Sequence, residues 1–126
     1  MSYQDCRFPR RRKGITDMTV RELSDICGFE VHSLCDAERS IDGAYVGDLL
    51  SWVMGRAEYN DAWITIMSNV NVIAVATLSD VSCVILAEGV KPDAELVEVA
   101  RAKGVNLLSS SLPTYETAVK ISELIR

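Results

Sequence analysis

Histidine is almost absent from this chain, with only His32 among 126 residues. A lone imidazole excludes a histidine-rich metal cluster and leaves a single candidate for an imidazole general base. The four cysteines, Cys6, Cys27, Cys35 and Cys83, form no Cys-x-x-Cys pair. Cys27, His32 and Cys35 lie close in sequence, but a structural zinc needs four well-spaced ligands, so no metal is expected. There is no G-x-x-x-x-G-K-[ST] phosphate loop, no G-x-G-x-x-G turn and no G-x-S-x-G elbow. His32 has no evident nucleophile partner in the sequence, and no acidic pair suggests acid–base work. No catalytic residue and no cofactor are therefore expected, and binding is favoured over catalysis. Apolar runs stop well short of the ~20 residues that span a membrane. No apolar run follows the basic residues near the start, so no secretory signal is read and the expected compartment is the cytoplasm.

What is present is an ordinary globular composition, 48% apolar and 25% charged. The length suits one domain. The net charge of −5 conceals an asymmetry: residues 1–18 carry five basic and two acidic residues, the remainder eight basic and sixteen acidic. An acidic body repels nucleic acid, which is not an expected partner. Residues 1–18, with Pro9, four arginines and Gly14, read as a flexible basic extension, and residues 19–126 as the folded domain.

Thr19 and Glu22 have capping-box spacing before the stripe Val20, Leu23 and Ile26, and Gly28 suits a helix stop. Residues 29–34 alternate as an imperfect strand with His32 on its polar parity, and 36–45 are turn-rich. Leu49–Met54 reads as a helix, with Asp48 a fitting N-cap that would compete with an anion there. Ala62–Met67 and Ser82–Ala87 are continuous apolar runs of the kind covered on both faces of a parallel sheet. Val72–Leu78 between them is read as a crossover helix capped by Asn69 or Asn71. Asp93–Lys103 forms a capped helix ended by Gly104, with Leu96, Val97, Val99 and Ala100 inward. Val105–Leu108 is a short strand, and Thr114–Ile125 a helix with Tyr115, Ala118, Val119, Ile121 and Leu124 on its apolar face. The expected fold is α/β, a single layered domain with a mostly parallel sheet flanked by helices. Trp52 and Trp63 are assigned to the core and Tyr45 to core or interface, and Cys83 is read as a buried, inert thiol.

Ligands of such sheets bind beyond the carboxyl ends of the strands. There the sequence places Ser68, Asn69 and Asn71, then Glu88 and Gly89, then Ser109, Ser110 and Ser111, with Gly47 and Asp48 as additions. Hydroxyls, amides, backbone N–H groups and one carboxylate could orient a small polar ligand, although loops of this kind are rich in the same residues anyway.

The segments GAYVGDLLSW, AWITIMSNVNVIAVA, CVILAEGVKPD and LLSSSLPTYETAVKI, in this order and spacing, resemble the DRTGG domain family from Thr19 to Arg126. Such domains occur alone, beside CBS-type modules, and as the middle regulatory domain of long bacterial phosphotransacetylases. The resemblance implies an α/β regulatory or interaction domain, often dimeric, with no established reaction. The expected function is a non-catalytic homodimer that senses a small ligand or docks on a partner enzyme. The alternatives are a pure interaction subunit without a ligand and, suggested only by the phosphotransacetylase kinship, an enzyme acting on a phosphorylated substrate. Stand-alone members are often labelled as relatives of HPr serine kinase, but the phosphate loop that a kinase needs is missing here. The acidic-arginine signature of the family is also missing: Ser68-Asn69-Val70-Asn71 stands in its expected place.

Overall fold

The computed structural model describes residues 18–125. Of the expected basic extension, all but Met18 lies outside the described residues. The elements in order are β1 (Met18–Thr19), α1 (Val20–Cys27), β2 (Glu30–Ser33), β3 (Ser40–Ile41), β4 (Gly43–Val46), α2 (Leu50–Arg56), β5 (Asp61–Thr65), α3 (Asn71–Ser79), β6 (Cys83–Leu86), α4 (Ala94–Lys103), β7 (Leu107–Ser109) and α5 (Thr114–Ile125). The main sheet has the order β2-β7-β6-β5-β4, with β4 to β7 mutually parallel and β2 antiparallel on the edge. This is the expected α/β domain.

The strands advance across the sheet in one direction, from β4 to β7. Right-handed crossovers then place α2, α3 and α4 on a single face. Side-chain alternation in the strands agrees. Trp63, Val84, Leu86 and Leu107 share a core with Val53 of α2, Val72, Ile73, Val75 and Ala76 of α3, and Leu96 and Ala100 of α4. Ala62, Ile64, Cys83, Ile85 and Leu108 point the other way, onto Val20 and Leu23 of α1 and Ile121 and Ile125 of α5. Burial on both faces explains why β5 and β6 read as uninterrupted apolar runs. It also pushes the Cys83 thiol up to about 12, so this cysteine stays protonated and inert.

Local signals worked where backbone groups needed partners. Thr19 and Glu22 form the reciprocal capping box, and Gly28 closes α1 in the left-handed region at φ 70°. Asp93 accepts from the Leu96 amide at 2.8 Å to start α4. At α3 the expected asparagine cap is not formed: the N-cap is Val70 without a side-chain bond, and Asn69 Oδ1 accepts instead from the Asn71 amide at 2.9 Å in the preceding turn.

Other expectations are corrected. Gly43–Val46, read as part of a turn and helix approach, is strand β4. Its parallel pairing with β5, from Gly43–Asp61 to Val46–Ile64, overrides a weak local pattern. Trp52 is not in the core: it is 52% exposed, and the Arg56 guanidinium stacks on its ring at 3.8 Å. Ile26 is exposed, and the half-buried Cys27 packs on the core in the last turn of α1. In α5 the buried residues are Thr117, Ile121 and Ile125, whereas Tyr115 is 78% exposed. The Thr117 hydroxyl bonds Ser110 Oγ at 2.9 Å and donates to the Leu112 carbonyl at 3.3 Å, so Thr117 faces inward where Tyr115 was expected, while Ala118, Ile121 and Leu124 pack on the core as expected.

Candidate functional site at the carboxyl ends of the strands

Parallel pairing sets the ends of β4 to β7 side by side, so the loops after Val46, Thr65, Leu86 and Ser109 form one rim. The chain leaves β6 toward α4 on one face and leaves β7 toward α5 on the other. Diverging connections of this kind open the crevice that holds ligands in α/β sheets. Here the two loops are laced together. The Glu88 amide donates to Leu112 O at 2.8 Å, and the Gly89 amide to Ser110 O at 3.0 Å. The Glu88 carboxylate accepts from the Thr114 amide at 2.6 Å and caps α5.

Several sequence-selected residues thus hold the rim together rather than face outward. Asp48 does not cap α2, whose N-cap is Leu49 without a side-chain bond. Its carboxylate instead accepts from Thr65 Oγ1 at 2.8 Å and from the Ile66 amide at 3.0 Å, tying the β4 loop to the end of β5. The carbonyl of Gly47 accepts from Trp63 Nε1 at 2.9 Å, and a Cβ on Gly47 would stand 2.9 Å from the Tyr45 ring. Its missing side chain therefore makes room for Tyr45. Ser110 is buried and accepts from the Leu112 amide at 3.1 Å. Ser68 is half-buried, while Asn69, Asn71, Gly89 and Ser111 are exposed along the rim.

Glu88 has φ 63° and Gly89 φ 74°, two successive residues in the left-handed region. Only at Glu88 does a side chain bear the cost, about 1–2 kcal/mol. Glu88→Ala is expected to lose about 1 kcal/mol through the vacated Thr114 amide. Glu88→Gly should recover most of that loss by relaxing the backbone, and urea unfolding of the two variants side by side checks the order.

Sequence reasoning missed a second group at the β2 end of the rim. Glu30 pairs with Ser109 across the antiparallel ladder, and the register then slips so that Ser33, not His32, opposes Leu107. His32 is the extra residue of a β-bulge, a device that re-aims a side chain. Its Nε2 lies 2.9 Å from Ser109 Oγ and 4.0 Å from Glu30 Oε1. Lys91, in the loop from β6 to α4, pairs with the Glu30 carboxylate through Nζ. The hydrogen bond and charge of Lys91 hold the Glu30 carboxyl below its usual range. Burial holds the His32 imidazole below its usual range, against the opposing pull of Glu30. Alternation in the β2 segment puts Glu30 and His32 on one face, which the sequence could have suggested. The meeting with Ser109 and Lys91 depends on an antiparallel register that no local pattern encodes.

Serine and histidine in contact suggest a nucleophile and base, but the geometry is wrong for it. Ser109 is 3% exposed, and Glu30 approaches the same ring nitrogen as the serine. A triad places its carboxylate on the other nitrogen. Among the described residues no group of three His, Cys, Asp or Glu side chains could hold a metal, and no helix is long and apolar enough to cross a membrane.

Residues 35–124 match the DRTGG domain family, more than two thirds of the chain. The chain belongs to the DRTGG domain family. The match begins after α1 and β2, so those elements fall outside it. This DRTGG domain is similar in fold to the CBS and DRTGG domains of the regulatory region of Clostridium perfringens pyrophosphatase, solved with the activator diadenosine tetraphosphate. The TM-score is 0.69 at 14% identity, over 85% of this chain and 47% of the other. This chain thus spans about half the length of that chain. No curated protein matches it in sequence.

Proposed function

We propose that this DRTGG domain is a non-catalytic regulatory domain that binds a small polar ligand at the carboxyl-end rim and passes that state to a partner enzyme. The observation that carries the reading is the divergence of the β6 and β7 connections to opposite faces, with Gly89, Ser109 and Ser111 beside it. Ser68, Asn69 and Asn71 extend the rim across β5. One solved structure with this fold is part of a regulatory region and was solved with a nucleotide activator, which makes nucleotides the first ligand class to try. Asp48 and Glu88 support the site by fixing its loops. A cytoplasmic setting suits the unpaired Cys27, Cys35 and Cys83 among the described residues.

A docking role is favoured by a separate observation. Val46, Leu49, Trp52 and Ile66 are exposed near the open edge strand β4. Apolar groups flanking an unpaired strand suit a protein partner, and a homodimer or a contact with the regulated enzyme would form there.

A thermal-shift screen with nucleotides, diadenosine tetraphosphate, acyl phosphates, pyruvate and NADH tests the ligand reading. Light scattering beside it reports mass. A ligand that binds only the folded state at about 100 times its Kd adds ~2.7 kcal/mol. A shift weakened by Asn69→Ala or Ser111→Ala supports the rim. A dimer that responds to nothing in the panel favours docking alone.

A further inference from the structure

Glu30, His32, Lys91 and Ser109 come from β2, the loop after β6, and β7, yet they meet in one chain of polar contacts: Lys91 Nζ on the Glu30 carboxylate, Glu30 Oε1 4.0 Å from His32 Nε2, and that nitrogen 2.9 Å from Ser109 Oγ. We propose that the Glu30 carboxylate occupies the seat of a phosphate-type oxyanion, which enters by displacing Glu30 and contacting Lys91 Nζ and the His32 imidazole, whose ring the buried Ser109 hydroxyl holds in place. The proposal rests on the reading of the rim as a ligand site and names the chemistry of one end of it.

Three features single out this point. The donors are built in from below. His32 is aimed by the bulge, and its own carbonyl, displaced from the ladder, accepts from the Arg101 guanidinium at 3.1 Å. Ser109 is buried, and its hydroxyl is held against the imidazole. The occupant, by contrast, is loosely held. The side chains of Lys91 and Glu30 are 62% and 54% exposed, and exposed pairs of this kind contribute little. A carboxylate tethered nearby acts as a competitor at high effective concentration. It therefore masks the site from weak anions until a ligand with further contacts along the rim replaces it. An oxyanion with several acceptor oxygens could satisfy the ammonium and the imidazole together.

The chain's single histidine makes the test direct, because every imidazole signal in an NMR spectrum belongs to His32. The ring is titrated with pH in the wild type, Glu30→Gln and Lys91→Met, with and without inorganic phosphate at constant ionic strength. Glu30 raises the His32 pKa and Lys91 lowers it. Without phosphate, Glu30→Gln should therefore titrate lower than the wild type. Phosphate should lift it again, with half-saturation about tenfold below that of the wild type. Lys91→Met should lose the phosphate response. Both substitutions are at exposed side chains, so folding is not at stake. An unchanged His32 titration in Glu30→Gln with phosphate present would overturn the proposal. Nucleotide-induced amide shifts at 68–71 or 110–112 that leave His32 unmoved would overturn the oxyanion seat and keep the rim. No response of any rim residue to phosphate or nucleotides would overturn both.

Discussion

Trp63→Ala should destabilise the domain by about 3–5 kcal/mol, the range for truncating a fully buried indole. Trp63 has no exposed surface and sits in the centre of β5 against Val53, Val72 and Leu86. Its Nε1–H donates to the Gly47 carbonyl at 2.9 Å, so the same side chain that fills the core also pins the first loop of the rim. Trp63→Phe separates the two roles. It keeps most of the apolar volume and should cost only about 1–2 kcal/mol, largely from the lost hydrogen bond. It should also free the Gly47–Asp48 loop, raising amide exchange at 47 and 48 more than elsewhere. Urea unfolding followed by circular dichroism measures the stabilities. Equal losses for the Phe and Ala variants would show that packing around the indole matters less than its bond to the loop.

Asn106→Ala is expected to cost about 2–4 kcal/mol, far more than most polar truncations. Asn106 is buried at the opposite end of the sheet. Its Nδ2 donates to Asp36 O at 2.8 Å and Ser82 O at 3.0 Å, and its Oδ1 accepts from the Asp36 amide at 2.9 Å. One amide side chain thus serves three backbone groups and fastens the β2–β3 connection to the base of β6. Asn106→Asp is the sharper variant. A carboxylate can accept from the Asp36 amide but cannot donate to the two carbonyls. Its deficit relative to the wild type should be largest at neutral pH and shrink on acidification, as protonation restores a donor. Because the residue lies far from the rim, ligand response should survive in whatever fraction folds.

The sequence conveyed the layers more readily than the seams. Continuous apolar runs at β5 and β6 reflect burial on both faces, and caps such as Thr19, Asp93, Gly28 and Gly104 are dictated by backbone groups a few residues away. These are local demands, legible in local sequence. β4 was hidden because an edge strand pairs on one side only and is recruited by β5 rather than by its own composition. The outward turn of Tyr115 and the inward turn of Thr117 followed from a hydrogen bond to Ser110, seven residues away.

The rim was legible as a place and less so as a set of functions. Residues 47–48, 68–71, 88–89 and 109–111 do follow the carboxyl ends of adjacent parallel strands. Yet Asp48 and Glu88 bind backbone amides of neighbouring loops, and Ser110 binds Thr117. Carboxylates and hydroxyls that could greet a ligand serve equally well to close loops, and sequence cannot tell which partner wins. Conversely, His32 looked like a surface strand residue because its contact with Ser109 comes from an antiparallel register that leaves no local signal.

The central claim, that the carboxyl-end rim receives a ligand, is tested most directly by mapping backbone amide shifts in the 15N-labelled domain on addition of diadenosine tetraphosphate or ATP. The account expects saturable changes confined to residues 66–71, 88–91 and 109–112, joined by the His32 ring. Saturable changes centred instead on the amino-terminal ends of the strands, around Asn60, Asp80 and Asn106, would contradict it.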